Sequence, residues 1–189
     1  MLGLLMQVVL WGGWGGHTSV NDLTHREELW HRFYSIARLG VSFLGYRRLQ
    51  PQFFWEGGAF ISQDRLQARW RRTHWNSIGA GLRLRPLHGP VSPLLEGSIF
   101  RFTATIRTLE GKAPPEGPAN VSVMGWGWAA GVSWRCLEWA ELSLLYLRRL
   151  PATDGLEGYP GPVRDRLEGF VGHIGLFLPQ PRTSDQSRF

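Results

Sequence analysis

Apolar and polar residues alternate with a period of two along most of this chain, the spacing of β-strands that separate two environments. The plainest run is Met124 to Arg135. Trp126, Trp128, Ala130, Val132 and Trp134 fall on one face, and Gly125, Gly127, Ala129, Gly131, Ser133 and Arg135 on the other. Between Asn76 and Leu84, Ile78, Ala80, Leu82 and Leu84 oppose Ser77, Gly79, Gly81, Arg83 and Arg85. Between Ser98 and Arg107, Phe100, Phe102, Ala104 and Ile106 oppose Arg101, Thr103 and Thr105. Ala140, Leu142, Leu144 and Tyr146 oppose Glu141, Ser143, Leu145 and Leu147, and Phe170, Gly172, Ile174 and Leu176 oppose Gly169, Val171, His173 and Gly175. Helical periodicity is weak throughout.

The pattern predicts eight strands at about 4–15, 32–45, 51–62, 74–86, 92–107, 122–136, 138–149 and 166–178. Connections after the odd strands are long and polar, and those after the even strands are short. Gly111 to Pro118 and Asp154 to Pro162 carry too much Gly and Pro to be strand. Long loops at one end and tight turns at the other, the last at Leu137, predict an eight-stranded antiparallel up-and-down barrel. Residues 1–179 would form the barrel and 180–189 a polar tail. Segment 64–72 alternates too. It either lengthens the third hairpin or replaces the opening strand.

Orientation follows from where tryptophan lies. A face of Val, Ala and Leu bounded by Trp meets lipid between two interfaces, so the Gly/Ser/Arg face turns into the lumen. The composition agrees: 24 Gly, 10 Trp and 13% aromatics coexist with a mean hydropathy of only −0.19. No run reaches the ~20 apolar residues of a spanning helix. The reading is therefore a transmembrane barrel of a bacterial outer membrane, delivered there by the barrel assembly machinery. Met1 to Trp14 is a poor export signal, with no basic start and no small-residue cleavage site, so the expectation is either that the true signal has been trimmed from this chain or that the opening is a mis-assigned start inside it. The terminal aromatic, Phe189, lies beyond a proline-containing tail. A soluble lipocalin-like barrel is the alternative with opposite orientation, apolar inside and polar outside.

Charge refines this picture. The net charge is +6, almost all of it arginine, with Lys112 the one lysine. The arginines are scattered singly or in pairs, unlike a nucleic-acid-binding block. Inward positions include Arg38, Glu56, Arg83, Arg85, Arg101, Arg135 and Glu141. Charges of both signs in a narrow lumen must pair, which predicts a network that plugs it. The exception is Glu96, which falls on the predicted lipid face of the fifth strand, where charge is costly. His25, Arg26, Arg65, Arg69, Arg71 and Arg72 lie in predicted outer loops, where they either contact lipid A phosphates or sugars or simply form a solvated loop surface. Antiparallel pairing of strands seven and eight would bring Ser143 and His173 together with Glu141 on the same face, either as an activated nucleophile or, as buried polar residues ordinarily do, simply satisfying one another. His17-Thr18-Ser19 is a weaker His-x-Ser. Neither metal-ligand spacing nor a phosphate-binding loop is present, so no metal and no cofactor is expected. Cys136 stands alone, which excludes an intramolecular disulfide.

Over nearly its whole length the chain resembles the superfamily of small outer-membrane β-barrels of the OmpA/OmpX type, by pattern rather than motif. Within that group, Gly12 to Gly16, Ser92 to Gly97, and the pair Gly125–Arg135 with Glu141–Arg149 look like the lipid A 3-O-deacylase family. That resemblance implies an esterase using a His-x-Ser-Asn sequence at the outer end of strand seven. Here the place reads Arg148-Arg149-Leu150-Pro151-Ala152-Thr153-Asp154-Gly155, without the histidine or the serine. A non-enzymatic barrel follows, structural or lipopolysaccharide-interacting, alone or in an envelope complex. A lipid A-modifying hydrolase is the enzymatic alternative.

Overall fold

The computed structural model describes residues 7–20, 34–44, 49–63, 70–86, 89–113, 119–153 and 165–178. Eight strands run in sequence order: β1 (Gln7–Val20), β2 (Tyr34–Leu44), β3 (Leu49–Gln63), β4 (Trp70–Leu84), β5 (Val91–Thr108), β6 (Asn120–Leu137), β7 (Ala140–Pro151) and β8 (Arg166–Phe177). Each pairs antiparallel with its neighbours, and β8 closes on β1. The opening strand belongs to the barrel, and Glu138-Trp139, one residue later than expected, form the last short turn. Segment 64–69 and the tail from 179 lie outside the described residues.

Closure fixes the tilt. Partners followed from Glu141 run through Gly175, Trp11, Gly40, Phe54, Gly79, Phe100 and Gly125 and return to β7 at Pro151, ten residues further on. Such a stagger in a ring of eight requires strongly tilted strands and leaves an interior just wide enough for side chains.

The exterior carries a belt of exposed Leu10, Trp14, Leu39, Phe53, Leu82, Ile99, Trp126, Val132, Leu144 and Ile174. Large apolar residues exposed all round a closed barrel are the surface of a membrane-spanning protein, not a soluble one. A tilted strand crosses the hydrocarbon in about 9–11 residues. β7 and β8, at 12 residues each, do little more than that. β3 and β4 have 15 and β5 and β6 have 18, and the surplus stands at the end with the long connections, hereafter the upper end.

That surplus corrects the predicted faces of the fifth strand. Phe100, Phe102, Ala104 and Ile106 are buried inside, and Arg101 is exposed outside. Glu96, in phase with them, also points inward. In the upper part of β5 the outer face meets water and the inner face packs a core, so its alternation has the sense of a soluble protein. Arg135, expected in the lumen, is exposed at the lower rim. There it donates to the Glu138 carbonyl at 2.9 Å and covers the Phe177 ring.

Candidate functional site

Charges collect at mid-height in the lumen. Arg38 of β2, Glu56 of β3, Arg83 of β4, Glu96 of β5 and Arg149 of β7 are all essentially inaccessible. Two contacts follow from register alone, because Arg38 lies opposite Glu56 and Arg83 opposite Glu96 on adjacent strands. The others cross the lumen. Arg149 forks onto Glu56, with Nε at 2.6 Å and Nη2 at 3.0 Å from its two oxygens, between strands on opposite sides of the ring. Arg38 donates from both terminal nitrogens to Glu96 and lies 3.1 Å by Nε from Glu56. Arg83 and Arg149 each reach Glu96 at 3.5 Å, and Ser77 donates to Glu56 at 3.0 Å. Three guanidiniums thus share two carboxylates, which limits the burial cost of each charge.

Aromatic faces complete the surround. Arg38 lies over Trp11 and Phe54, Arg83 over Trp11, and Arg149 over Phe54 and Phe100. Small inward residues make room for these groups. A Cβ on Gly40 would come within 2.3 Å of the Trp11 ring, and one on Gly127 within 2.9 Å of the Arg149 guanidinium. These two glycines are the space into which Trp11 and Arg149 fold.

A second pair lies lower: Arg85, just past β4, places Nη2 2.5 and 2.6 Å from the two oxygens of Glu141. The catalytic candidates meet only in part. Ser143 and His173 are cross-strand partners, as expected. Glu141 is engaged by Arg85, however, and His173 stacks on Trp11 at 4.9 Å with neither ring nitrogen hydrogen-bonded among the described residues. His17 is a packing residue at the upper end. Its Nδ1 lies 2.9 Å from the Tyr34 carbonyl, and its Nε2 accepts from Trp75 at 3.1 Å. No group of His, Cys, Asp and Glu suited to a metal occurs among the described residues.

At the outer end of β7 the two arginines face opposite ways. Arg149 enters the lumen network, and Arg148 lies outside, 3.3 Å from Glu168. Among the predicted lipopolysaccharide contacts, Arg72 is exposed. Arg71 is buried inside the barrel, because strand alternation forbids both neighbours from facing out. His25, Arg26, Arg65 and Arg69 lie outside the described residues. Sequence reading missed Arg149 as a lumen residue, since Leu145 and Leu147 precede it on the same face and interrupt the polar run begun by Glu141 and Ser143.

No protein-family model matches the sequence, and no curated protein does. Solved structures do match. Neisserial surface protein A aligns over 90% of this chain and 97% of its own, with a TM-score of 0.67 and 12% identity. Ail, the attachment invasion locus protein of Yersinia pestis, solved with the heparin analogue sucrose octasulfate, aligns over 92% and 99%, with a TM-score of 0.59 and 9% identity. The N-terminal β-barrel domain of Pseudomonas aeruginosa OprF gives 0.50 at 8% identity over 89% and 97%. At such identities the likeness is one of fold. The fold is that of the small eight-stranded outer-membrane β-barrels.

Proposed function

We propose that this protein is a non-conducting, non-enzymatic outer-membrane barrel whose lumen is closed by its own side chains, with structural and lipopolysaccharide-contacting roles at the cell surface. One observation carries the reading: the Arg38–Glu56–Arg83–Glu96–Arg149 network ties five strands together across the lumen. A permeating solute would have to break several charge-assisted hydrogen bonds in a region of low dielectric. Narrow bore and shared carboxylates both favour a structural role for these charges over a substrate path.

The test is electrical. Purified protein in planar bilayers is expected to give no steady stepwise conductance, and reproducible unitary openings abolished by Arg149→Trp would overturn the closed-lumen reading. The non-enzymatic part is tested separately, by incubating the folded barrel with lipid A and following its acyl chains by mass spectrometry. Chain loss that disappears in Ser143→Ala would establish a hydrolase instead.

A further inference from the structure

The upper outer surface differs between the two sides of the barrel. On the β7–β8 side, Arg148 and Arg166 both lie on Glu168, at 3.3 and 2.8 Å, and the Tyr146 hydroxyl donates to the same carboxylate at 3.1 Å. There both arginines are tied to a carboxylate. On the other side, the outward positions above the belt read Trp70, Arg72, His74 and Asn76 on β4, Arg101, Thr103, Thr105 and Arg107 on β5, and Asn120 and Ser122 on β6. No acidic residue stands in this strip. Glu110, in the turn beyond β5, is paired with Lys112 at 3.2 Å.

Among the described residues none of Arg72, Arg101 and Arg107 has a carboxylate partner. Arg107 spends its Nη1 on the Ile106 and Ala119 carbonyls, at 2.8 and 3.0 Å. Arg101 has only the Ser122 hydroxyl, at 3.3 Å from Nε and Nη2, which leaves donors turned outward. Arg72 and Arg107 are direct cross-strand partners, an arrangement of like charges that destabilises a sheet unless an anion lies between them. Height along the barrel is equally informative. The cross-strand partners of Arg101 are Ile78 and Met124, both exposed and apolar, and Ile99 lies below it. Arg101 therefore marks the level at which hydrocarbon gives way to headgroup, and the hydroxyls and amides above it are suited to sugars.

We propose that this strip holds the phosphorylated saccharide headgroup of an outer-leaflet glycolipid of the lipopolysaccharide class. Arg101 takes a phosphate at the membrane boundary, and Arg72 with Arg107 takes an anionic group of the sugar chain above it. Arginine is suited to this because its planar fork matches phosphate oxygens and its charge persists at any relevant pH. The proposal deepens the lipopolysaccharide-contacting part of the reading above and rests on the long connections facing the cell surface.

The experiment uses the full chain refolded in detergent, with folding verified by a heat-dependent shift in gel mobility. Wild type, the triple variant Arg72→Ala/Arg101→Ala/Arg107→Ala and the control Arg148→Ala/Arg166→Ala are titrated with lipopolysaccharide, with enzymatically dephosphorylated lipopolysaccharide and with sucrose octasulfate. The triple variant is expected to bind intact lipopolysaccharide roughly tenfold or more weakly, since several charge-assisted hydrogen bonds are lost. The control should bind like wild type, and dephosphorylation should erase the difference between wild type and triple variant. Equal affinity of wild type and triple variant for intact lipopolysaccharide overturns the proposal. So does tighter binding of sucrose octasulfate than of lipopolysaccharide through the same three arginines, which would make the strip a site for soluble polyanions. If the wild type yields no heat-shifted species, the membrane-barrel reading fails first and takes this site with it.

Discussion

The membrane-spanning part of the barrel and the part above it bury opposite chemistries. In the lower part, Arg38, Gln52, Glu56, Arg83, Glu96, Ser133, Glu141 and His173 are inside, while Leu82, Val132, Leu144 and Ile174 are outside. In the upper part the inside is mainly apolar, with Phe60, Trp75, Phe102, Ile106, Val121 and Leu167 packed around the buried His17, Arg71, Thr73 and Asp165, while Arg72, Asn76, Arg101, Thr103 and Asn120 are outside. Trp75 and Phe102 stack at 5.6 Å between rings, and Tyr34 ties this core to β3 by donating to the Ile61 carbonyl at 2.7 Å. Both parts belong to one continuous sheet with one hydrogen-bond ladder. What changes is the solvent. Lipid rewards apolar atoms on the outside, so the lumen inherits the polar ones and must pair them. Water rewards the reverse, and the hydrophobic effect builds an ordinary core.

The largest expected effect breaks the lower half. Glu96→Gln leaves three buried guanidiniums facing one carboxylate and is expected to destabilise the folded barrel by about 3–5 kcal/mol. Urea unfolding in lipid vesicles, followed by tryptophan fluorescence, reads this directly; a loss under about 1 kcal/mol would mean that the network is not electrostatically coupled. In the upper half the corresponding change is Phe102→Ala, which removes a ring stacked on Trp75 and should cost about 3 kcal/mol by cavity formation. Because this core stands above the bilayer, the damage should appear as faster proteolysis of the upper strand ends on intact vesicles. Loss of membrane insertion itself would show that the two halves fold only together.

The boundary between the halves is tested by one substitution made at two heights. Leu82→Arg places a charge in the belt and is expected to cost about 2–4 kcal/mol near the bilayer midplane. Thr105→Arg, on the same exterior but above the belt, should change stability by less than about 0.5 kcal/mol. Similar costs at both positions would place the belt higher than its apolar residues indicate. The smallest effect is expected for Arg148→Ala. Its pair with Glu168 is partly exposed, so the loss should stay within about 0–1 kcal/mol and shrink in high salt.

The Glu96 misfit was the sequence's own trace of the change of solvent. Strand five read as one alternating run, and its phase was set by Phe100, Phe102, Ala104 and Ile106, the larger and more apolar group. Glu96 shares their face, which is contradictory only if that face meets one environment along its whole length. In the structure it meets a charged lumen at Glu96 and an apolar core from Phe100 upward. Periodicity reports which residues share a face; it does not report what that face touches. Ser77–Arg85 and Gly125–Ser133 raised no such conflict, because each of those stretches lies mostly within the belt.

Strand number, strand order and loop parity were local properties. Residue alternation writes the first, and the Gly/Pro-rich breaks and their lengths write the rest, so the sequence by itself determined an eight-stranded membrane barrel with a polar, mixed-charge lumen. Which charges meet was decided only by closure. Glu56 and Arg149 are 93 residues apart in the chain, and no short-range rule relates them. They meet because the stagger of the closed ring brings the middle of β3 level with the upper end of β7 across a bore that the two side chains span together. The exposed arginine strip has the same origin. Arg72 and Arg107 became neighbours through strand register, and Arg101 came to the membrane boundary through the length by which β4, β5 and β6 outgrow the bilayer.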